Sequence, residues 1–345
     1  GLGIHAPVRQ KGIYIPLRVW NVLKSVFARP FSVIRDGTMR VDEVLEDFFF
    51  VERGYLSGNH FVYRSASPVL VDTGYIGDFA DTEKAITALG VRLSDVSLII
   101  NTHTHCDHIG GNAAIQQQSG CDIALHRIGK HFIDTRDDWS TWWRYYKQEA
   151  RFFRCTRSLE DGDLICIGPH RFHVLHTPGH ASDGIVLYNR REKVLLSADT
   201  LWENDVAVMT LRVEGSSAVF QMQASLEKLA PLDVKRVFPG HGPPFDDAKS
   251  ALEKSRKKIQ AYLKDRTLIG RDLLKKIIMY TLLMKRRMKQ ESLFPYLMDT
   301  VWYKETVDLY FDGDYQAAYS ETMSSLLQKG AVRRDHGTLY PQVRP

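Results

Sequence analysis

Four short apolar runs in this chain each lead into residues that commonly bind metal ions. The run at 97–100 precedes the densest group, which contains His103, His105, Asp107 and His108. The runs at 172–175, 194–196 and 236–238 precede His180, Asp199 and His241. Imidazole nitrogen and carboxylate oxygen are the ligands that zinc and similar divalent cations prefer, and so many histidines in one loop have no packing rationale. The pattern therefore predicts a metal site built from the ends of strands.

The loop at 101–111 has enough candidate ligands to bind more than one cation. In an extended conformation His103, His105 and Asp107 would project from one side and His108 from another, because side chains alternate with a period of two. The two glycines that follow, at 110 and 111, let the backbone turn tightly before the next helix. We therefore expect this loop to provide ligands to two neighbouring metal positions.

Short β-rich runs alternate with helical stretches from about residue 41 to residue 240, a rhythm typical of an α/β fold whose sheets are covered by helices. Strands are predicted at 61–63, 69–71, 97–100, 123–125, 172–175, 185–188, 194–196 and 236–238, and helices at 79–89 and 218–229. After residue 244 the strand signals almost vanish. Helices are predicted there at 246–265, 271–290 and 314–329, followed by a hairpin at 331–340. This order resembles a winged-helix module, although helices that merely cover a catalytic site have the same composition.

The charge distribution divides the chain into three parts. Residues 1–40 contain 7 Lys and Arg against 1 acidic residue, residues 41–245 contain 20 against 27, and residues 246–345 contain 19 against 13. We therefore predict a basic N-terminal extension (1–40), a central catalytic domain (41–245) and a basic helical domain (246–345). Within the extension, the amphipathic segment 16–29 could lie on a membrane surface or pack back on its own domain.

The bulk composition indicates a globular protein with a conventional core. The chain has 345 residues, of which 44% are hydrophobic, and no apolar stretch approaches the roughly 18 residues of a membrane span. Its four cysteines form no C-x-x-C pair, so reduced thiols are expected. The first residues carry no secretory signal. These features predict a cytoplasmic protein without integral membrane association.

Taken together, the motifs and their order resemble the metallo-β-lactamase superfamily, in particular its glyoxalase II-like hydrolases, over residues 41–245. The resemblance implies an α/β fold of the four-layer αββα type, followed here by the helical domain. It also implies the metal ligands. The first metal would be bound by His103, His105 and His180, the second by Asp107, His108 and His241, and Asp199 would bridge the two.

The resemblance extends to one supporting residue, and two alternative ligands remain open. Asp72 matches a family aspartate that accepts a hydrogen bond from a ligating histidine and so fixes the orientation of its ring. His176 is an alternative to His180, which is preferred because it follows the Pro-Gly turn. Cys106 is an alternative ligand within the first loop.

A hydrolase is the function that these features predict. Two neighbouring divalent ions, zinc first and iron or manganese as alternatives, can share a water and lower its pKa toward about 7, so the bridging hydroxide would be the nucleophile. Asp107 would orient the water or accept its proton. The segment 139–153, with seven aromatic residues, is predicted to form a helix that either covers an apolar pocket or packs the C-terminal helices onto the core. The residues expected to contact substrate are Trp142, Trp143, Tyr146 and Trp202.

The substrate class is open among three possibilities. A small acyl compound, either a thioester or a lactone, follows from the glyoxalase II resemblance. A metal-dependent endoribonuclease or phosphodiesterase is the second, because the basic C-terminal domain could hold the phosphates of an RNA. The third is a regulatory protein that retains the metal site and acts through a partner. No oligomeric state is predicted.

Overall fold

The computed structural model describes residues 40–344, so the amphipathic segment 16–29 and nearly all of the predicted N-terminal extension lie outside the described part. Within it, one sheet is formed by β1 (Arg40–Leu45), β2 (Phe48–Glu52), β3 (His60–Tyr63), β4 (Val69–Val71), β5 (Leu98–Ile100), β6 (Asp122–His126) and β7 (Arg157–Leu159), in that order. β1 to β4 are antiparallel, whereas β4 to β7 are parallel. The parallel strands β4 and β5 are apolar throughout because both of their faces are covered.

A second sheet faces the first. Its strands are β8 (Leu164–Ile167), β9 (His170–His176), β10 (Ile185–Asn189), β11 (Val194–Ala198) and β12 (Arg236–Pro239), ordered β12-β11-β10-β9-β8. β11 and β12 run parallel, and the other neighbouring pairs are antiparallel. Phe50 and Phe61 of the first sheet belong to the same buried cluster as Phe172 and Phe238 of the second. The core between the sheets is therefore a layer of interdigitating aromatic and branched side chains.

Helices cover the outer face of each sheet. The helices that precede the C-terminal region are α1 (Phe79–Ala88), α2 (Cys106–Ile109), α3 (Asn112–Ser119), α4 (Arg127–Thr135), α5 (Leu211–Glu214) and α6 (Ala218–Leu229). Ile86 of α1 and Ile115 of α3 pack on the first sheet, and Met222 of α6 packs on the second. This arrangement confirms the αββα sandwich. The predicted strands and the helices at 79–89 and 218–229 are confirmed within two residues at each end.

The C-terminal region contains α7 (Ala248–Lys264), α8 (Thr267–Lys285), α9 (Gln290–Met298), α10 (Val301–Tyr310) and α11 (Tyr315–Gln328), together with β13 (Met288–Lys289), β14 (Val332–Asp335) and β15 (Thr338–Pro341). The last two strands form the predicted hairpin, and β15 also pairs with β13. Ile259 of α7 belongs to the cluster that covers the second sheet, so α7 extends the outer layer of the sandwich. The three-part division of the chain and the winged-helix resemblance stay predictions.

Two local predictions are wrong. The segment 139–153 contains turns and irregular backbone, with no helix. Oδ1 of Asp137 accepts hydrogen bonds from the backbone N–H groups at 139 and 140, and Trp142 and Lys147 have positive φ angles of 71° and 51°, which a right-handed helix excludes. The loop after β5 is likewise extended only as far as His105, because Cys106–Ile109 form the helical turn α2.

The aromatic residues of segment 139–153 contact the C-terminal helices. Trp142, Tyr145 and Tyr146 belong to one buried cluster with Ile277 of α8 and Trp302 of α10. The segment therefore packs the C-terminal helices onto the sandwich, as one of the two alternatives for it predicts. Among residues 40–344, none of the helices combines the length and the apolar composition that a membrane crossing requires.

Candidate metal centre

The predicted ligands follow the ends of β5, β9, β11 and β12. Asp199 and His241 lie at the same edge of the second sheet, because they follow parallel neighbours. The loop after β5 is tied to this sheet by a hydrogen bond of 2.9 Å from the backbone N–H of Ile185 to the carbonyl of Thr102. The loops of both sheets therefore meet at one edge of the sandwich.

The side chains in this region form three groups. Within each group, the ligand atoms lie within 4.8 Å of one another. We call His103, His105 and His180 the first cluster, and Asp107, His108 and His241 the second cluster. The third group consists of His103, His108 and Asp199 and connects the two clusters. All seven predicted ligands thus come together, in the grouping that the family resemblance implies.

Asp199 lies between the clusters. Its Oδ2 atom is 3.3 Å from Nε2 of His180 in the first cluster. The same atom is 3.6 Å from Nε2 of His108 and 3.7 Å from Nε2 of His241 in the second cluster. One carboxylate therefore faces both groups, which is the position of a bridging ligand.

The donor set fits divalent cations. The Nε2 atoms of His103, His105 and His108 are buried and have no hydrogen-bond partner within residues 40–344. A buried polar atom without a partner costs about 1–3 kcal/mol, so three together in a folded core need an explanation. Imidazole nitrogens that converge with carboxylates are the ligand set of zinc, and iron and manganese accept the same donors.

The two clusters differ in charge. Burial and neighbouring imidazoles lower the pKa of His103 and His105 well below the usual range, so both rings are neutral. Burial opposes ionisation of His108 as well, but three surrounding carboxylates raise its pKa well above the usual range. Burial similarly opposes ionisation of Asp107 and Asp199, yet nearby histidines bring both pKa values below the usual range. The second cluster therefore pairs the ionised carboxylate of Asp107 with a protonated His108. The proton on His108 would leave when a cation binds.

Asp72 contacts His108, one of the candidate metal ligands, as predicted. Its Oδ2 atom lies 2.8 Å from Nδ1 of His108 and accepts a hydrogen bond from the hydroxyl of Thr102. Its Oδ1 atom accepts a hydrogen bond of 2.8 Å from the backbone N–H of Thr102. This buried carboxylate thereby directs Nε2 of His108 toward the carboxylates of Asp107 and Asp199.

The two alternative ligands lie elsewhere. The ring of His176 stacks on that of His126 with centroids 4.0 Å apart, and its Nε2 atom is 2.9 Å from the carbonyl of Ser182. The buried thiol of Cys106 donates to Oε1 of Gln148 at 3.1 Å, and burial raises its pKa well above the usual range. Neither side chain belongs to one of the three ligand groups.

A cavity opens onto both clusters. Its lining residues are Tyr55, His105, Asp107, Trp142, Gln148, His180, Asp199, Trp202, Val208, His241, Lys276, Ile277 and Tyr280. Aromatic and aliphatic side chains form much of the wall opposite the candidate ligands, so the cavity combines a polar floor with apolar sides.

Two of the four aromatic residues predicted to contact substrate line this cavity. The ring of Trp142 stacks on His105 with centroids 3.8 Å apart, and the indole of Trp202 donates to Oδ1 of Asp199 at 3.3 Å. Trp143 and Tyr146 are buried outside the lining. The indole N–H of Trp143 donates to the carbonyl of residue 104, and the hydroxyl of Tyr146 is hydrogen-bonded to the hydroxyl of residue 210. Packing in the core therefore accounts for both aromatic side chains.

The C-terminal helices contribute side chains to the cavity, which the sequence alone did not predict. Lys276, Ile277 and Tyr280 all come from α8, which was expected only to be a helix. Lys276 and Tyr280 are polar residues spaced by four within an apolar helix, and this spacing was the available signal. It predicts a shared face but does not reveal what that face contacts.

Comparison with known proteins gives one family. The family model described as "Metallo-beta-lactamase superfamily" matches residues 54–241. Among curated relatives, the chain is 26% identical over 200 residues to the probable metallo-hydrolase YqjP of Bacillus subtilis (strain 168), covering 50% of this chain and 62% of that protein. It is 27% identical over 224 residues to the acyl-coenzyme A thioesterase MBLAC2 of Homo sapiens, covering 56% and 77%. It is 29% identical over 158 residues to the hydroxyacylglutathione hydrolase of Maricaulis maris (strain MCS10), covering 46% and 52%.

A solved structure supports the same fold. A metallo-beta-lactamase family protein from Thermus thermophilus is similar with a TM-score of 0.56 at 21% sequence identity. The similarity covers 87% of this chain and 100% of that one.

Proposed function

The chain belongs to the metallo-beta-lactamase superfamily, and from this membership we propose that it is a hydrolase with two divalent cations that cleaves small acyl substrates, thioesters first and lactones second. The names of two relatives, an acyl-coenzyme A thioesterase and a hydroxyacylglutathione hydrolase, support an acyl substrate. Zinc is the cation proposed, because the five histidines of the two clusters supply the nitrogen donors that it prefers.

The observation that carries the proposal is the position of the clusters at the floor of an apolar-walled cavity. Asp199 lies between the first cluster and the second cluster, and Trp142, Trp202 and Ile277 form walls beside them. An acyl chain or aryl group would lie against these walls while its carbonyl group faces the clusters. Burial of apolar substrate surface stabilises the complex by about 25 cal/mol per Å².

The residues of the site have separate proposed roles. The first and second clusters would each hold one cation, with Asp199 contributing to both. Bound divalent cations supply Lewis acidity, which lowers the pKa of water and stabilises negative charge on a carbonyl oxygen. Asp107, whose carboxylate stays ionised, is placed to orient the attacking water or accept its proton. The side chains of Trp142 and Trp202 exclude bulk water from the cavity.

The test is a substrate screen on the purified full chain with its metal content measured. The substrates are an acyl-coenzyme A thioester, a glutathione thioester, an aryl-substituted lactone, a phosphodiester and a short RNA. We expect thioester hydrolysis, with slower lactone hydrolysis. Asp107→Ala should lower kcat/KM for the best substrate by at least about 100-fold. His105→Ala should have a similar effect, and His131→Ala, which removes an exposed histidine on α4, is the matched control.

The same screen distinguishes the alternatives. Cleavage of RNA, with binding that weakens steeply as salt rises, would support the ribonuclease in place of the acyl hydrolase. A chain that binds two cations but hydrolyses none of the substrates would support a partner-binding role. Full activity in Asp107→Ala would contradict the assigned role of this residue.

A further inference from the structure

Helix α8 reaches the metal centre from outside the segment that matches the family model. The match ends at residue 241, and α8 begins at Thr267. Lys276 and Tyr280 are four positions apart, so both side chains leave the same face of the helix and enter the cavity lining. The C-terminal helices therefore add polar groups to the cavity as well as covering it.

The hydroxyl group of Tyr280 donates a hydrogen bond of 2.5 Å to Oδ2 of Asp107. A carboxylate only accepts hydrogen bonds, so the tyrosine hydroxyl is the donor of this contact. The same carboxylate oxygen lies 3.1 Å from Nε2 of His241. Two groups that are distant in sequence thus meet at one oxygen of the second cluster.

Packing fixes the direction from which this hydrogen bond comes. The ring of Tyr280 lies against that of Tyr55, with centroids 5.5 Å apart and an interplanar angle of 62°. Tyr280 also packs on the buried cluster that contains Leu56 and Cys106. Because the ring is held by these contacts, the O–H group is presented to Asp107 by the fold of the C-terminal region.

We propose that Tyr280 is a positioning residue that holds the Asp107 carboxylate in the orientation in which the second cluster binds its cation. The inference rests on the proposed function, because it takes the second cluster to be a cation site. A hydrogen bond to a ligating carboxylate restricts its rotamers, and loss of such a partner typically lowers metal affinity about 10- to 100-fold. Helix α8 is then part of the metal centre, through a residue that the family model does not cover.

The test compares Zn²⁺ affinities of full-length variants. Zn²⁺ is titrated by calorimetry, in the presence of a competing chelator, into metal-free wild type and Tyr280→Phe. This substitution removes the hydroxyl and keeps the ring. We expect one of two sites to weaken by about 10- to 100-fold and the other to keep its affinity. Tyr310→Phe is the matched control, because the buried hydroxyl of Tyr310 has no partner within residues 40–344. It should leave both affinities unchanged.

Two results would overturn the inference. Unchanged affinity at both sites of Tyr280→Phe would mean that the hydroxyl does not position Asp107. Equal weakening of both sites, together with a fall in melting temperature that Tyr310→Phe does not share, would mean a general structural role. The proposed function is judged separately by turnover of the wild type. If the wild type binds Zn²⁺ but hydrolyses no acyl substrate, the affinities still decide the role of Tyr280.

Discussion

Replacing Asp72 by Asn is expected to weaken cation binding although the side chain touches no cation itself. Asp72 is 2% exposed and accepts hydrogen bonds through both carboxylate oxygens. Oδ1 binds the backbone N–H of Thr102 at 2.8 Å. Oδ2 binds the Thr102 hydroxyl and lies against Nδ1 of His108, both at 2.8 Å. The carboxylate therefore satisfies donors on two sides.

Neither orientation of an Asn amide can replace these contacts. If the amide nitrogen took the place of Oδ1, it would face the backbone N–H of Thr102 and leave that donor unsatisfied, at a cost of about 1–3 kcal/mol. If it took the place of Oδ2, His108 would have to accept through Nδ1 and carry its proton on Nε2. Nε2 is the atom 3.7 Å from Oδ2 of Asp107 and 3.6 Å from that of Asp199. The lone pair that faces the clusters would then be lost.

We therefore expect Asp72→Asn to lower Zn²⁺ affinity about 10- to 100-fold, which is about 1.4–2.7 kcal/mol. Calorimetric titration with a competing chelator measures this change. Asp47→Asn is the matched control, because Asp47 has a φ of 57° and Asp72 a φ of 58°, so both sites test an Asn in the left-handed region. Wild-type affinity in Asp72→Asn, with normal folding, would refute this account of His108.

Three further predictions concern the surroundings of the site. Burial raises the pKa of Glu214 from 4.5 to about 8, so the folded state favours the neutral acid and loses stability as the pH rises through this range. Between those pH values, the melting temperature of the wild type should fall relative to that of Glu214→Gln. A Cβ at residue 110 would lie 2.2 Å from the backbone nitrogen of Ile76, so Gly110→Ala should cost about 3 kcal/mol or more in urea unfolding. His180→Ala should lose one bound cation, whereas His176→Ala should keep both, as counted by metal analysis after gel filtration.

Each of these predictions has a contradicting result. A melting-temperature difference between wild type and Glu214→Gln that does not change with pH would mean that the acid is not held neutral. Wild-type stability of Gly110→Ala would mean that the turn after α2 has room for a side chain. Loss of a cation in His176→Ala, with retention in His180→Ala, would exchange the two assignments.

The ends of the strands were predictable because they depend on neighbouring residues. A continuous apolar run such as Leu98–Ile100 indicates a strand covered on both faces, and the polar residues directly after it mark the exit. The same local pattern predicted a strand at 194–196 before Asp199, which the structure gives as Val194–Ala198. The resemblance then implied which exits meet, and the structure places all seven candidate ligands together.

Other features depend on contacts between distant segments. The left-handed backbone at Trp142 and Lys147 breaks the predicted aromatic helix, and no residue type there requires that conformation. The contact of Tyr280 with Asp107 joins positions 173 residues apart, within a helix whose apolar pattern fits simple packing. Such contacts follow from how α8 is placed on the sandwich, which the sequence pattern does not specify.

The number of divalent cations bound per chain tests the central claim most directly. The full chain is stripped with a chelator, reloaded with Zn²⁺, desalted and measured by mass spectrometry of the metal against protein concentration. We expect two ions per chain, one for each cluster, with fewer in Asp199→Ala and two in the control His131→Ala. A reloaded wild-type chain that retains no Zn²⁺ would contradict the account.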